Sequence, residues 1–269
     1  MKVEAIMLKA KQLKTISKTE EIVIKHDLKE QIRLNKFLSD QGLTSRRKSD
    51  EMISVGRVTV NDELAKVGTK ISSSDIVKVD GKVIANKPDP IYIALNKPKG
   101  IVTTTDKAIR SNIIDFMDYP EMIFPVGRLD KDSSGLILLT NDGDIVNKIL
   151  RVENGHDKEY IVEVDKDITD EFLDAMEKGV IIYNPVTHQN QRTLPTKLKK
   201  IDHRSFSIIL RQGLNRQIRR MTENLGFHVV ELKRIRIMHI YLNDLQDGYW
   251  RYLTKDELIQ LNQAITKKT

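Results

Sequence analysis

Apolar residues recur at helical spacing at Leu34, Phe37 and Leu38, and Gly42 closes that short helix. A second helix is predicted from Thr44 or Ser45 to about Val55, with Gly56 behind it. Val58 and Val60 alternate into an Asn61–Asp62 turn. Ile76, Val77 and Val79 then pass through Asp80–Gly81 to Val83 and Ile84 as a hairpin. Residues 31–88 therefore read as one compact helix–helix–strand–hairpin module. The stretch Asn86–Pro90 (NKPDP) reads as a linker between two cores, so removing residues 1–88 is expected to leave a folded domain. Residues 1–30 are Lys-rich with weak apolar periodicity and read as an extension of unknown role.

Past the linker, strands are predicted at Ile91–Leu95, Gly135–Thr140, Tyr160–Val164, Phe206–Leu210 and Val229–Ile237. Helices are predicted at Asp144–Leu150, behind Thr169 as far as Gly179, and at Asn215–Leu225. Thr254 with Glu257 three residues on is a capping box. These elements assign 91–256 to a second domain and 257–269 to a C-terminal helix and tail. Strands and helices do not alternate regularly, so the fold class expected is α+β with a largely antiparallel sheet.

Composition narrows the chemistry. The 269 residues include no cysteine, which removes disulfides, thiolate chemistry and Cys-ligated metals. The six histidines show no HxH or HxxxH spacing, so no metal is expected. No apolar run approaches a membrane span and the N-terminus does not read as a secretory signal, so a soluble, reducing, cytoplasmic setting is expected. Net charge is +7, and its distribution is uneven: +2 over 1–30, +3 over 31–90 and +5 over 209–240. Concentrated basic charge suits a polyanion, and solvated helix faces are the plain alternative.

Arg46, Arg47 and Lys48 occupy the first turn of the second helix, where the helix dipole disfavours cations and a phosphate would reverse that sign. With Arg33 and Lys36 they form a candidate RNA-facing surface. The segment FPVGRLDKDSSGLILLT places Arg128 and Asp130 in a loop before a buried strand. A carboxylate on such a loop is a candidate nucleophile or base, with a turn role and Asp132 as competing readings. Lys158 and Tyr160 share one face of a strand. Arg216, Arg219 and Arg220 share one side of the Asn215–Leu225 helix, which suits RNA or solvent.

The module RLNKFLSDQGLTSRRKSDEMISVGRVTVNDELAKVGTKI with the IVKVDGKVI hairpin resembles the S4 RNA-binding domain. LNKPKGIVTT, GRLD with SGL, KEY at 158–160, and GLNRQIRRM with LKRIRI, in that order, resemble the RsuA-like family of ribosomal RNA pseudouridine synthases. The likeness is greatest to the F type among the enzymes that act on the large ribosomal subunit, with the B type second. It implies isomerisation of a uridine in structured ribosomal RNA, 23S ahead of 16S, with transfer RNA as an additional candidate. No cofactor and no obligate protein partner are implied. Asp130 is the implied nucleophile, Tyr160 the aromatic that packs on the base, Arg219 the partner of the nucleophile, and Arg128 the arginine that helps extrude the uridine. Arg216 and Arg220 are expected to bind RNA. The rival readings are a non-enzymatic S4-type RNA-binding protein and a glycoside hydrolase, which would need a second carboxylate.

Overall fold

A computed structural model describes residues 9–12, 31–72, 74–84, 89–150 and 155–266. Most of the expected extension, and the Asn86–Pro88 part of the expected linker, lie outside the described residues. The front module packs α1 (Leu34–Asp40) on α2 (Arg46–Ser54) beside short strands that include Val58–Val60 and Val77–Val79. Ser45 Oγ caps α2 by accepting from the Lys48 amide. Leu34, Leu38, Ile53, Val58, Ile71 and Val77 form a core of its own.

The larger domain is built on one ten-stranded sheet. Tyr92–Lys97 and Ser134–Thr140 pair antiparallel, as do Lys158–Val164 and both of its neighbours, Ser205–Leu210 and Val229–Ile237. These two antiparallel halves meet where Ser134 and Gly135 run parallel to Lys233 and Arg234. A Cβ on Gly135 would lie 2.2 Å from the Arg234 carbonyl oxygen, so only glycine permits this approach. The α+β, largely antiparallel reading matches this sheet.

Four helices frame the sheet's functional region: α3 (Ile113–Met117), α4 (Gly143–Leu150), α5 (Asp170–Lys178) and α6 (Gln217–Asn224). α5 and α6 bury Phe172, Met176, Ile218 and Met221 against one half. The last helix, α7 (Lys255–Thr266), starts with the expected reciprocal cap between Thr254 and Glu257. Its Leu258 and Leu261 join Tyr92, Leu136 and Ile145 in the core of the other half. A boundary at 256 thus cuts a helix from the core it completes. No helix among the described residues is long and apolar enough to cross a membrane.

The front extension also differs from expectation where it is described. Lys11–Gln12 adds a parallel strand beside Tyr249–Tyr252, at the edge of the large sheet. The Ala10 amide donates to the Phe116 carbonyl, and Ala10 packs on the Trp250 cluster. Removing residues 1–88 would therefore strip a strand from the large sheet, and a clean division at the linker does not hold. The two modules also touch. Lys36 Nζ lies 2.5 Å from Asp40 and 3.0 Å from Asp144 at the start of α4.

Candidate active site

A cavity of about 340 Å³ opens at the seam between the two halves of the sheet. Arg128, Asp130, Lys158, Tyr160, Arg216 and Arg234 are among the residues that line it. The loop carrying Asp130 is fastened through five consecutive residues. The Arg128 carbonyl accepts from Arg234 Nη1 at 3.5 Å, and the Leu129 carbonyl from Thr103 Oγ1 at 2.7 Å. The Asp130 carbonyl accepts from the Ser133 amide at 3.1 Å, and the Lys131 carbonyl from the Gly100 amide at 2.7 Å. The Asp132 carbonyl accepts from Arg219 Nη2 at 3.1 Å.

Against this fixed backbone the Asp130 carboxylate is lightly held. Its side chain is 32% exposed, and its charged neighbour is Arg216 Nη1 at 3.7 Å. Asp132, two residues on, is occupied. Arg216 reaches both of its oxygens at 3.1 Å, a bidentate fork. Burial opposes ionisation of Asp132, but the Arg216 hydrogen bonds and the charges of Arg219 and Arg216 outweigh it and hold the carboxyl below its usual range. Asp132 therefore orders the site, while Asp130 is left facing the cavity.

Tyr160 stands half-buried on the strand Lys158–Val164 and packs against the cores of both halves. The Arg234 guanidinium lies 6.0 Å from its ring centroid. Beneath the loop, Lys97 is fully buried and donates to the carbonyls of Pro98 and Ile101 at 2.9 and 3.0 Å. Burial is the main cause that lowers its pKa to about 8, with Asp130 opposing and Arg234 adding.

Comparison with known proteins bears on this geometry. The sequence pattern of the family described as RNA pseudouridylate synthase matches residues 91–224, and that of the S4 domain matches residues 32–77. The chain is 51% identical to the dual-specificity RNA pseudouridine synthase RluF of Salmonella typhi, over 87% of this chain and 79% of that one. It is 35% identical to the ribosomal large subunit pseudouridine synthase B of Bacillus subtilis (strain 168), over 85% and 95%. A solved structure, "Crystal structure of pseudouridylate synthase", aligns with a TM-score of 0.62 at 29% identity, covering 86% of this chain and 99% of that one. The chain is an RNA pseudouridine synthase of the RsuA-like family.

In this pseudouridine synthase the arginines of α6 divide differently from expectation. Arg219 does not reach Asp130. It is 7% exposed and spends its guanidinium on the Asp132 carbonyl, Ser133 Oγ at 3.4 Å and the Val229 carbonyl at 3.3 Å, with the Asp132 carboxylate at 3.4 Å. The residue beside Asp130 is Arg216. Its backbone is left-handed (φ 49°) at the N-cap of α6, just before the helix begins, and its guanidinium meets that of Arg219 at the Asp132 carboxylate. Helical spacing from Asn215 onward missed this, because Arg216 is not yet helical.

Arg220 is also spent internally, on the Asn215 carbonyl, Asn215 Oδ1 and the Tyr183 carbonyl. Those bonds tie α6 to the hairpin of Ile181–Asn184 and Gln189–Arg192, so Arg220 is held by protein acceptors at the surface. Lys36 is likewise closed in by Asp40 and Asp144 with 18% of its side chain exposed, and does not add to an open RNA-facing surface. Arg33, Arg46, Arg47, Lys48 and Arg128 are exposed. Thr103, Lys97 and Arg234 went unremarked as site residues. For Arg234 the available signal was a charged residue inside a strand otherwise read as core.

Proposed function

We propose that Asp130 is the nucleophile that converts a uridine of ribosomal RNA to pseudouridine in this cavity. The reaction breaks the N1–C1′ glycosidic bond, turns the base and joins C5 to C1′, with no net gain or loss of electrons. The observation that carries the assignment is the contrast within one loop: a backbone fastened at five successive residues, presenting one half-exposed carboxylate to the cavity. Pre-set geometry of this kind lowers the cost of orienting a reacting group.

The remaining roles follow from placement. The target base must leave its stack, at a cost of a few kcal/mol. Tyr160 offers a flat apolar partner for it inside the cavity, and exposed Arg128 at the rim stands where it can fill the vacated position. Arg216 sets a positive charge 3.7 Å from the Asp130 carboxylate. Arg33, Arg46, Arg47 and Lys48 hold phosphates of structured RNA. Large-subunit (23S) RNA in the cytoplasm is the substrate we favour, and dual specificity in the relatives at 50–51% identity makes a second RNA, such as transfer RNA, worth assaying. Neither a purely RNA-binding role nor glycoside hydrolysis accounts for a single lightly held carboxylate among buried cations.

The deciding measurement is tritium release from ribosomal RNA carrying 5-tritiated uridine. Asp130→Asn should abolish release while RNA affinity changes little. A variant keeping more than about a tenth of the wild-type rate would refute the assignment, since loss of a required nucleophile costs far more.

A further inference from the structure

Two buried cations at the cavity have no part in the chemistry above, beyond the contact of Arg234 Nη1 with the Arg128 carbonyl at 3.5 Å. Lys158 opens the strand Lys158–Val164, is 7% exposed and lines the cavity. Its ammonium makes one long hydrogen bond, 3.3 Å to the His156 carbonyl, and no carboxylate lies within ion-pair distance of it among the described residues. Arg234 is 3% exposed and donates from Nε to the Leu136 carbonyl at 2.6 Å, while its Nη2 is buried without a partner. Burial and the neighbouring Arg234 lower the Lys158 pKa to about 8, with Asp157 opposing. Buried charges short of partners are costly, and a fold keeps them where a compensating charge arrives.

The chemistry supplies such a charge. Uridine is neutral when bound. When the N1–C1′ bond breaks, its electron pair stays on the base, and the detached uracil is an anion with charge spread over N1, O2 and O4. Lys158 and Tyr160 are two residues apart on one strand, so their side chains leave the same face about 7 Å apart. A base lying on Tyr160 therefore has its edge beside the Lys158 ammonium.

We propose that Lys158, backed by Arg234, is a catalytic residue whose ammonium donates hydrogen bonds to the uracil anion while the base is detached. It transfers no proton. The electron pair returns when C5 bonds to C1′, C5 then loses its proton and N1 gains one, so atoms and electrons balance. A donor set that meets charge only after the bond breaks accelerates the step without tightening ground-state binding. This rests on the cavity receiving the extruded uridine, as proposed above.

The test uses the full chain in single turnovers at saturating ribosomal RNA. Wild-type tritium release comes first; if it is absent, the proposed function fails and not this inference. Lys158→Met should then slow the reaction about 100-fold, with RNA affinity within about threefold of wild type. Lys158→Arg should recover at least about tenfold of that loss. With 5-fluorouridine at the target, C5 has no proton to lose once it bonds C1′, so the carbon-linked base takes up water at C6 and is assayed by that gain in mass; the Lys158→Met defect should shrink to about tenfold, because the fluorinated base leaves as a more stable anion. Equal defects on both substrates, loss of affinity in step with rate, or an unchanged rate would each overturn the proposal.

Should Lys158→Met fail to fold, the pH profile of Lys158→Arg decides. The charged and titratable groups facing residue 158 are Arg234 from its neighbouring strand, Asp157 and His156 from its own loop, and Asp130, Arg128 and Arg216 across the cavity. Burial lowers the His156 pKa from its usual value, so that ring is neutral across the alkaline range in both proteins. Lys97 also discharges near pH 8 but does so in both proteins. The wild-type rate at limiting RNA should fall as pH rises through about 8, and the Lys158→Arg rate should not fall in parallel. Parallel profiles would overturn the role.

Discussion

Two stretches of this chain look alike as sequence and behave in opposite ways. Ser-Arg-Arg-Lys at 45–48 and Asn-Arg-Gln-Ile-Arg-Arg at 215–220 each bring three cations to the start of a helix. At α2 the three side chains are exposed, and no carboxylate pairs with them among the described residues. At α6 each arginine is committed: Arg216 to Asp132 and Asp130, Arg219 to the backbone beneath them, Arg220 to the hairpin at its flank. Charge density alone does not separate a surface that waits for RNA from a scaffold that shapes a pocket. The difference lies in what is packed nearby, and that is set by strands far away in sequence.

The sharpest way to break this comparison is Arg219→Ala. It leaves the Asp132 carbonyl and Ser133 without a buried donor, and should cost about 2–4 kcal/mol of stability. Thermal unfolding would show it, and a shift within error of wild type would place Arg219 with the solvent-facing cations. Next in size is Arg216→Lys, which keeps charge near Asp130 but loses the two-pronged hold on Asp132. Turnover at saturating RNA should fall about tenfold with RNA affinity nearly unchanged. An affinity loss with normal turnover would return Arg216 to the phosphate contacts.

The α2 cluster should respond in the reverse sense. Replacing Arg46, Arg47 and Lys48 together by alanine should leave the melting temperature and saturated turnover as they are. The slope of log affinity against log salt should become shallower by about two to three units. An unchanged slope would remove the RNA role of that helix. The smallest effect is expected at Arg220→Ala, about 0.5–1.5 kcal/mol from lost bonds to Asn215 and Tyr183. Faster hydrogen exchange confined to the hairpin 181–192 would report it.

Much of this architecture was readable because its signals are local. Ser45, Thr169 and the Thr254–Glu257 pair announce helix starts through side chains that accept from amides three residues on or, for Glu257, three residues back. The strand Ser134–Thr140 is buried throughout and reads as a continuous apolar run. The site was legible in part. Asp130 and Tyr160 fell on the right elements, but the partner of Asp130 depended on one left-handed residue, Arg216, and the buried cations depended on which strand lies beside which. The hairpin Ile181–Asn184 with Gln189–Arg192 went unseen because its second strand is Gln-Asn-Gln-Arg, with no apolar alternation to betray it.

The edge strand Lys11–Gln12 changes what counts as the beginning of the catalytic domain. It neighbours Tyr249–Tyr252, which in turn neighbours Tyr92–Lys97. The chain therefore leaves the sheet and re-enters it two strands over, about 10 Å across at ordinary strand spacing. In topological terms the S4 module is an insertion into the synthase domain rather than a head placed before it. Protein engineering can use this directly. Excising residues 13–90 and joining Gln12 to Ile91 through about six glycine and serine residues, which reach roughly 20 Å, should yield a minimal catalytic unit that keeps all ten strands.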